Sequence, residues 1–462
     1  MTDAATVAAT ADTPLPVRRL GVVLAAIAGG ALLIPLNSTM LAVALPGIMA
    51  EFGVGAGAVS SLVALYLAAV ALAMPISGNL GDRFGHRKIF LIGVGAFATT
   101  SLGAALAWSF PLLITARVLQ AISGAAITPS ASSLIRLLAP EDRRGGSFGL
   151  FDLLISTTAT LGPFLGGVLV SGFGWRALFV LAVPVAIASA ILVGVIVPRG
   201  ESLRPHASLD LPGLVLLSAA IVTLLAGLNA VRDGGWQPWA MAAPLLFAAF
   251  ATWELRASQP AIDVRLLASR SFAAALAAVF GATLILHATM VIVPILTQQS
   301  MGTSATVSGL VLLVFFVLGA VTAPFAGRLS DRIGRRAPAV AGSLCMAAAL
   351  GVLSLWTGRV GLIAVAALLS VVGIGFGLSG SPRQTAALES VPPGNTGMAA
   401  GTYFTSRYIG GAIGATLAGL ILDSARGAGG VASGFGFLAL VACAVALVSL
   451  GLRGPVRPQR GG

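Results

Sequence analysis

Gly78-Asn79-Leu80-Gly81-Asp82-Arg83-Phe84-Gly85-His86-Arg87-Lys88 and Gly327-Arg328-Leu329-Ser330-Asp331-Arg332-Ile333-Gly334-Arg335-Arg336 share the pattern G-x-L-x-D-R-x-G-x-R. Each copy lies between two long apolar segments, where only a tight loop fits. One copy alone reads equally well as a basic hairpin holding two helices on the positive side of a membrane. Two copies with the same acid, arginine and glycine spacing point to an internal duplication of a membrane protein.

Composition agrees. The 462 residues are 57% hydrophobic and 9% charged, with a mean hydropathy of +0.99; so few charges cannot cover a water-soluble surface. The net charge of +12 does not indicate nucleic acid, because the arginines are dealt out loop by loop and form no basic face. Cys345 and Cys443 both lie in apolar runs and support neither a disulfide framework nor a thiolate metal site. Met1 to Val17 lacks the charged, apolar and cleavage regions of a secretory signal, so the first helix is expected to remain in the mature chain. No polar stretch between apolar runs is long enough to form a soluble domain.

Apolar runs of about 18 to 25 residues, the length that spans a bilayer, are drawn at Leu20–Leu45, Ala58–Gly78, Ile89–Trp108, Pro111–Leu138, Gly149–Gly172 and Leu178–Pro198. Two follow at Leu211–Val231 and Trp239–Trp253, then six more at Phe272–Gln298, Leu310–Ala326, Pro338–Trp356, Leu362–Ser381, Met398–Leu422 and Phe435–Leu452. Loop charge supports these fourteen. With Met1 cytoplasmic, the opposite side holds only Arg176, Arg232, Arg359 and Arg426, while Arg117 and Arg407 fall within helices. The rest of the 27 lysines and arginines, Arg383 among them, face the cytoplasm, which orients the chain with both termini inside. The repeated patterns follow the second and tenth helices, whereas a plain six-plus-six arrangement would place them after the second and eighth. The expected order is therefore a tail (1–19), a six-helix bundle (20–198), two inserted helices (199–257), a second six-helix bundle (258–452) and a tail (453–462).

The paired patterns resemble the signature loops of the major facilitator superfamily, and the two extra helices resemble its fourteen-helix drug–proton antiporter branch. The likeness runs through Pro260-Ala261-Ile262-Asp263-Val264-Arg265-Leu266-Leu267, Pro294 with Gln298, Gly302 and Ser304 with Gly309-Leu310, and Arg407-Tyr408-Ile409-Gly410-Gly411. It implies an all-α membrane fold in which the first, fourth, ninth and twelfth helices line a central cavity, with loops gating movement of the two halves. Gly78, Gly85, Gly327 and Gly334 allow close backbone approach; Asp82 can face a helix N-terminus; and Arg83, Arg87 and Lys88, like Asp331, Arg332 and Arg335, can form ion pairs that break as the halves rock.

Gly162-Pro163-Phe164-Leu165-Gly166-Gly167 is similar to the family's G-P-x-x-G-G antiporter element, although Thr158 stands where an earlier glycine is usual. Arg117-Val118-Leu119-Gln120 is similar to its R-x-x-Q element; an arginine in a membrane helix costs about 2.5–3.5 kcal/mol and should face a polar cavity, with Gln120 on the same side. The alternative is an arginine snorkelling to the interface. In the first helix Asn37 occupies a position where the family usually carries an acid, and Asn37 cannot hold a proton. The proton-coupling candidates are then Asp152, near the cytoplasmic end of the fifth helix, and His287, mid-way along the ninth. Each has a plainer reading: Asp152 paired with Arg143 or Arg144, and His287 satisfied by a backbone carbonyl. Glu254 and Asp423 lie at helix ends and read as solvated. Asn37, Tyr66, Gln298 and Arg407 are the candidate substrate-cavity residues.

Other motifs fall away. Gly375-Phe376-Gly377-Leu378-Ser379-Gly380 satisfies G-x-G-x-x-G but lies in an apolar helix with no preceding strand. Asn37-Ser38-Thr39 matches a glycosylation acceptor inside an apolar run, where it cannot be modified. Three scattered histidines make no metal site, and no Walker loop is present. The sequence thus reads as a non-enzymatic, cofactor-free and metal-free plasma-membrane transporter. Its expected partners are a small-molecule substrate, protons and lipid, not nucleic acid, and it is expected to be monomeric. Proton-driven efflux of drugs or similar amphipathic molecules is the leading function; transport of an endogenous metabolite is the alternative.

Overall fold

The computed structural model describes residues 17–140, 143–198, 210–232, 238–257, 260, 262, 264–356, 361–392, 396–424 and 428–453. Within these the chain forms fourteen α-helices: α1 (Val17–Phe52), α2 (Ala56–Phe84), α3 (His86–Ala105), α4 (Phe110–Leu138), α5 (Arg144–Phe173), α6 (Arg176–Ile196), α7 (Leu211–Arg232), α8 (Ala242–Glu254), α9 (Arg270–Pro294), α10 (Ala305–Ile333), α11 (Arg336–Trp356), α12 (Leu362–Glu389), α13 (Thr396–Ser424) and α14 (Ala428–Ser449). Short 3-10 turns precede α8 and α9, and α9 continues into a π-helical turn, Ile295–Ser300. Residues 1–16 of the expected tail 1–19 and 454–462 of the tail 453–462, the loop acids Glu141 and Asp142, and Arg199, Arg204, Ala261, Asp263, Arg359 and Arg426 lie outside the described residues.

Twelve helices are long and apolar enough to cross a membrane. Among the described residues α8 and α13 fall outside that count. α8 has only 13 residues, because the Trp239 end of its run winds as a 3-10 turn. α13 has the length but carries Arg407 and a run of glycines in place of leucines. Several helices also overrun the apolar runs by one or two turns, since a backbone already hydrogen-bonded along its axis need not stop at the first charged side chain. α12 extends past Ser381 to Glu389, which moves Arg383 from the expected cytoplasmic loop into the helix.

Helix partners repeat. α1 packs on α4, α5 and α6, α4 packs on α2 and α3, and α3 packs on α6. Adding eight to each number describes the later helices: α9 packs on α12, α13 and α14, α12 on α10 and α11, and α11 on α14. Between the two sets α2 lies on α13 and α5 on α10, a pair of contacts that the same shift exchanges. α7 touches α2 and α13, and α8 packs on α7. The repeated turns match in detail. Gly85 and Gly334 close α2 and α10 with φ of 90° and 91°, and their N–H groups donate to Gly81 O and Ser330 O at 2.9 and 3.0 Å. A side chain is strained at such a φ, which explains the glycine in each copy.

In lipid, helices associate through close packing rather than escape from water, so small residues decide where they touch. On α5, Gly162 and Gly166 lie against Thr39 and Met40 of α1, while Gly167 lies against the backbone of Ala305 and Thr306 on α10. Gly309 of α10 in turn sits on the carbonyl of Pro163. Hydrogen bonds reinforce this end of the molecule. Thr306 Oγ1 donates to Gly167 O at 3.2 Å, Gln298 Nε2 to Val43 O at 3.0 Å, and the Gly57 N–H to Asp423 Oδ2 at 2.9 Å. Asp423 is thus no solvated helix end; it receives the start of α2 at the N-terminal pole of that helix. Glu254 is likewise fully buried, its Oε2 accepting the Ile262 N–H at 3.3 Å. Towards the repeated turns, cover is lost: Leu150 and Leu153 of α5, and Phe325 and Leu329 of α10, are exposed.

Gly167→Val and Gly309→Val each place branched carbons on the facing backbone and are expected to cost about 1–3 kcal/mol through overpacking. Thermal denaturation in detergent should show each midpoint several degrees below wild type; unchanged midpoints would show that the α5–α10 contact is not close-packed.

A candidate transport cavity

Five helices of the first set bring polar and aromatic side chains to one buried arginine. Arg117 of α4 is 1% exposed. Its Nη1 donates to Asn37 Oδ1 of α1 and to Gln120 Oε1, one turn on, at 2.6 Å. Gln120 Nε2 donates to Ser101 Oγ of α3 at 2.7 Å, and Ser101 Oγ donates to Phe97 O at 2.6 Å. The guanidinium carbon lies 4.2 Å from the centroid of the Tyr66 ring of α2 and 5.7 Å from that of Phe179 on α6. Arg117 Nε and Tyr66 Oη have no hydrogen-bond partner.

The magnitudes explain why the charge can stay. Inserting the arginine costs about 2.5–3.5 kcal/mol, whereas a hydrogen bond to a charged group contributes about 1.5–3 kcal/mol and a desolvated cation–π contact about 2 kcal/mol. Asn37 and Gln120 supply two such bonds and Tyr66 the aromatic face. Arg117 is therefore held in the interior and does not snorkel. The sequence places Asn37, Gln120 and Tyr66 near substrate or proton; the structure brings them together around Arg117, all within 4% exposure. Ser101 and Phe179 were not singled out in the sequence, because neither residue type carries a signal until α3 and α6 are packed.

The second set gathers a different group. His287 of α9 places Nδ1 3.0 Å from Thr283 O, its plainer reading. Thr283 Oγ1 donates to Arg407 O of α13 at 2.8 Å, and a side chain at Gly411 would meet the His287 ring. Arg407 is exposed. Gln298 does not line this region; on the π-helical turn it bridges to α1. Asp152 is exposed on α5 and makes none of these contacts. Arg383 of α12, missed because its run was ended at Ser381, is 1% exposed beside Tyr403.

At the repeated turns the expected ion pairs take another form. Asp82 pairs with His86, the first residue of α3, at 3.0 Å, and Arg87 donates to Gly194 O of α6 at 2.6 Å. Arg83 and Lys88 lie over the Phe84 ring at 5.3 and 6.0 Å and form no ion pair among the described residues. In the second copy Arg335 grips Glu389 at the end of α12, with Nη2–Oε1 at 2.8 Å and Nε–Oε2 at 3.2 Å, and reaches Asp331 at 2.5 Å. Those hydrogen bonds to Glu389 hold the Arg335 guanidinium above the ordinary arginine range, so this clasp stays charged at any physiological pH. Arg332 is exposed.

Replacing Asn37 separates the two roles its position could have. Asn37→Leu leaves the guanidinium short of an acceptor and is expected to cost about 1–3 kcal/mol, whereas Asn37→Asp, which supplies a carboxylate, retains wild-type stability. A thermal unfolding series in which leucine is tolerated as well as aspartate contradicts this account of Arg117.

Comparison with known proteins identifies the architecture. The Major Facilitator Superfamily model matches residues 27–415 and 271–461. The MFS-type transporter YvkA of Bacillus subtilis, itself uncharacterised, is 30% identical over 428 residues, covering 92% of this chain and 94% of the relative. The tetracenomycin C resistance and export protein of Streptomyces glaucescens is 31% identical, over 87% of this chain and 76% of the relative. The multidrug resistance protein Stp of Mycobacterium tuberculosis (strain CDC 1551 / Oshkosh) is 31% identical, over 85% and 74%. Among solved structures, the crystal structure of the peptide transporter POT in complex with sulfate superposes with a TM-score of 0.71 at 16% identity, over 93% of both chains, a likeness of fold alone. Paired turns, repeated helix partners and these matches converge: the chain belongs to the major facilitator superfamily and is a multi-pass membrane transporter, not an enzyme.

Proposed function

We propose that the chain is a proton-coupled efflux transporter that exports small amphipathic molecules by alternating access. In this reading two six-helix bundles, 20–198 and 258–452, rock about a central cavity, and the segment 199–257 adds two helices outside them. The plasma membrane is its site, with both termini cytoplasmic, and the monomer is the working unit. The observation that carries the reading is the repetition of helix partners under a shift of eight, with α2–α13 and α5–α10 as the exchangeable seams. Such pseudo-symmetry supports a protein that alternates between two related openings. The closely packed end, held by Gly167, Gly309 and Asp423, is then the closed outer gate, and the repeated turns border the open side. Efflux is supported by the relatives named for export and multidrug resistance.

Within this scheme Gly162, Pro163, Gly166 and Gly167 form the pliable seam of α5, and Arg117 with Gln120 holds the fourth helix in register with the first. Gly78, Asp82, Arg83, Gly85, Arg87 and Lys88, with Gly327, Asp331, Arg332, Gly334 and Arg335, form the gating turns. Asp152 is the leading proton carrier: it is the acid placed within a helix and away from its ends, while His287 already engages Thr283 O. One observation favours the metabolite-transport alternative. Arg117 rests on Asn37 where a carboxylate would couple it to protons, and a transporter of an endogenous compound has no need of that acid.

Reconstituted vesicles under an imposed pH gradient test the proposal. Wild type is expected to drive dye efflux with the gradient, Asp152→Asn to lose the dependence on pH, and His287→Ala to retain it. Wild-type coupling in both variants would remove these residues as carriers, and wild-type transport indifferent to the gradient would overturn antiport.

A further inference from the structure

Three arginines, Arg117, Arg383 and Arg407, lie within the helices away from their termini, whereas among the described residues the aspartates and glutamates sit at or near helix ends, apart from Asp152. Among the described residues, the interior of the second helix set is therefore positive with no acid within its helices to balance it. Arg383 is 1% exposed, and its Nε and Nη1 have no hydrogen-bond partner. Its guanidinium lies beside Tyr403 of α13, and its carbon lies 6.0 Å from the Phe376 ring centroid. Arg407 stands one turn beyond Tyr403. It shares the stripe of Tyr403, Gly411 and Gly414, which faces α9 and, at Gly411, Leu67 of α2. Arg407 lies within electrostatic reach of Arg383, Tyr403, Tyr408 and His287, yet its side chain is exposed and forms no ion pair among the described residues.

Two like charges near each other in a low-dielectric interior repel, and each is costly to insert there. Such an arrangement is stabilised when an anion arrives. We propose that Arg407, with Arg383 and Tyr403 behind it, forms a subsite for the carboxylate of the transported molecule, so that the preferred substrates are amphipathic monoanions. This rests on the transport reading above and names its substrate class. Arg407 supplies the contact, because its guanidinium is exposed and can take a carboxylate through two parallel N–H donors. Arg383 is a positioning residue: buried beside Tyr403 and the Phe376 ring, it adds positive field without leaving the interior. The same field repels cationic amphiphiles, so discrimination comes from repulsion as well as attraction.

The test uses the full chain purified in detergent and three matched probes: a fluorescent aryl carboxylate, its primary amide and its trimethylammonium analogue. Wild type is expected to bind the carboxylate about tenfold or more tightly than the amide, the effect of one charge-assisted hydrogen bond, and to bind the cation most weakly. Arg407→Gln should erase the carboxylate-to-amide ratio and Arg407→Lys should restore part of it. Arg383→Gln should lower the same ratio less. Because the ratio is taken within each variant, a partly unfolded preparation does not disturb it. Tighter binding of the cation by wild type, or an unchanged ratio in Arg407→Gln, overturns the proposal. Binding is read without a pH gradient. A carboxylate preference in a protein with no gradient-driven efflux sustains the subsite and rejects the coupling; gradient-driven efflux without the preference rejects the subsite alone.

Discussion

The cost of placing a charge in hydrocarbon organises this molecule. With 9% of its residues charged, the chain puts most of them at helix ends, and each one kept inside has an identifiable environment. Arg117 has two amide oxygens and an aromatic face; Arg383 has a phenol and a phenyl ring beside it; Arg407 is exposed. Polar groups within membrane helices are rarely retained without use. The arrangement is also asymmetric between the halves: the first set encloses its arginine, while the second leaves one accessible.

Packing supplies the second constraint. No hydrophobic driving force favours helix contact over lipid contact, so the seams depend on backbones meeting where side chains are absent. Gly167 on the Ala305–Thr306 backbone and Gly309 on the Pro163 carbonyl form one seam, and Gly419 against Gly57 and Ser60 forms part of the other. Seams of this kind transmit rigid-body movement well, since the contacts are shape-matched and carry few long side chains that must repack. Gly85 and Gly334 are the corresponding fixed points at the other end, where a left-handed residue stops a helix and turns the chain.

Much of the fold was legible because membrane insertion writes itself into long apolar runs, and because duplication repeats a rare polar pattern. The fourteen runs became fourteen helices, and the Asp82 and Asp331 loops became matching turns. What escaped reading depended on where a run truly ends. Pro382 and Arg383 looked like the start of a loop, yet α12 continued for two more turns and carried Arg383 inside. Trp239 looked like part of a span but belongs to a 3-10 turn. Partners remote in sequence were equally hidden: Asp423 meets Gly57 only because α13 lies on α2, and Arg335 finds Glu389 only because α11 and α12 are neighbours. At the candidate site, Arg117, Gln120 and Asn37 announced themselves as polar residues in apolar helices. Ser101, Phe179 and Tyr403 did not, since hydroxyls and rings are ordinary there until an arginine is placed beside them.

Movement of the two bundles about a shared hollow remains the claim on which the transport reading stands. It is tested most directly by spin-label distances in a background lacking Cys345 and Cys443. One label pair, Arg83→Cys with Arg332→Cys, spans the halves at the repeated turns; another, Ala50→Cys with Ser300→Cys, spans them at the opposite end; all four positions are exposed. The account predicts that addition of a transported molecule changes the two distances in opposite senses. Distances that both stay fixed, or that shift together, while transport proceeds would contradict it.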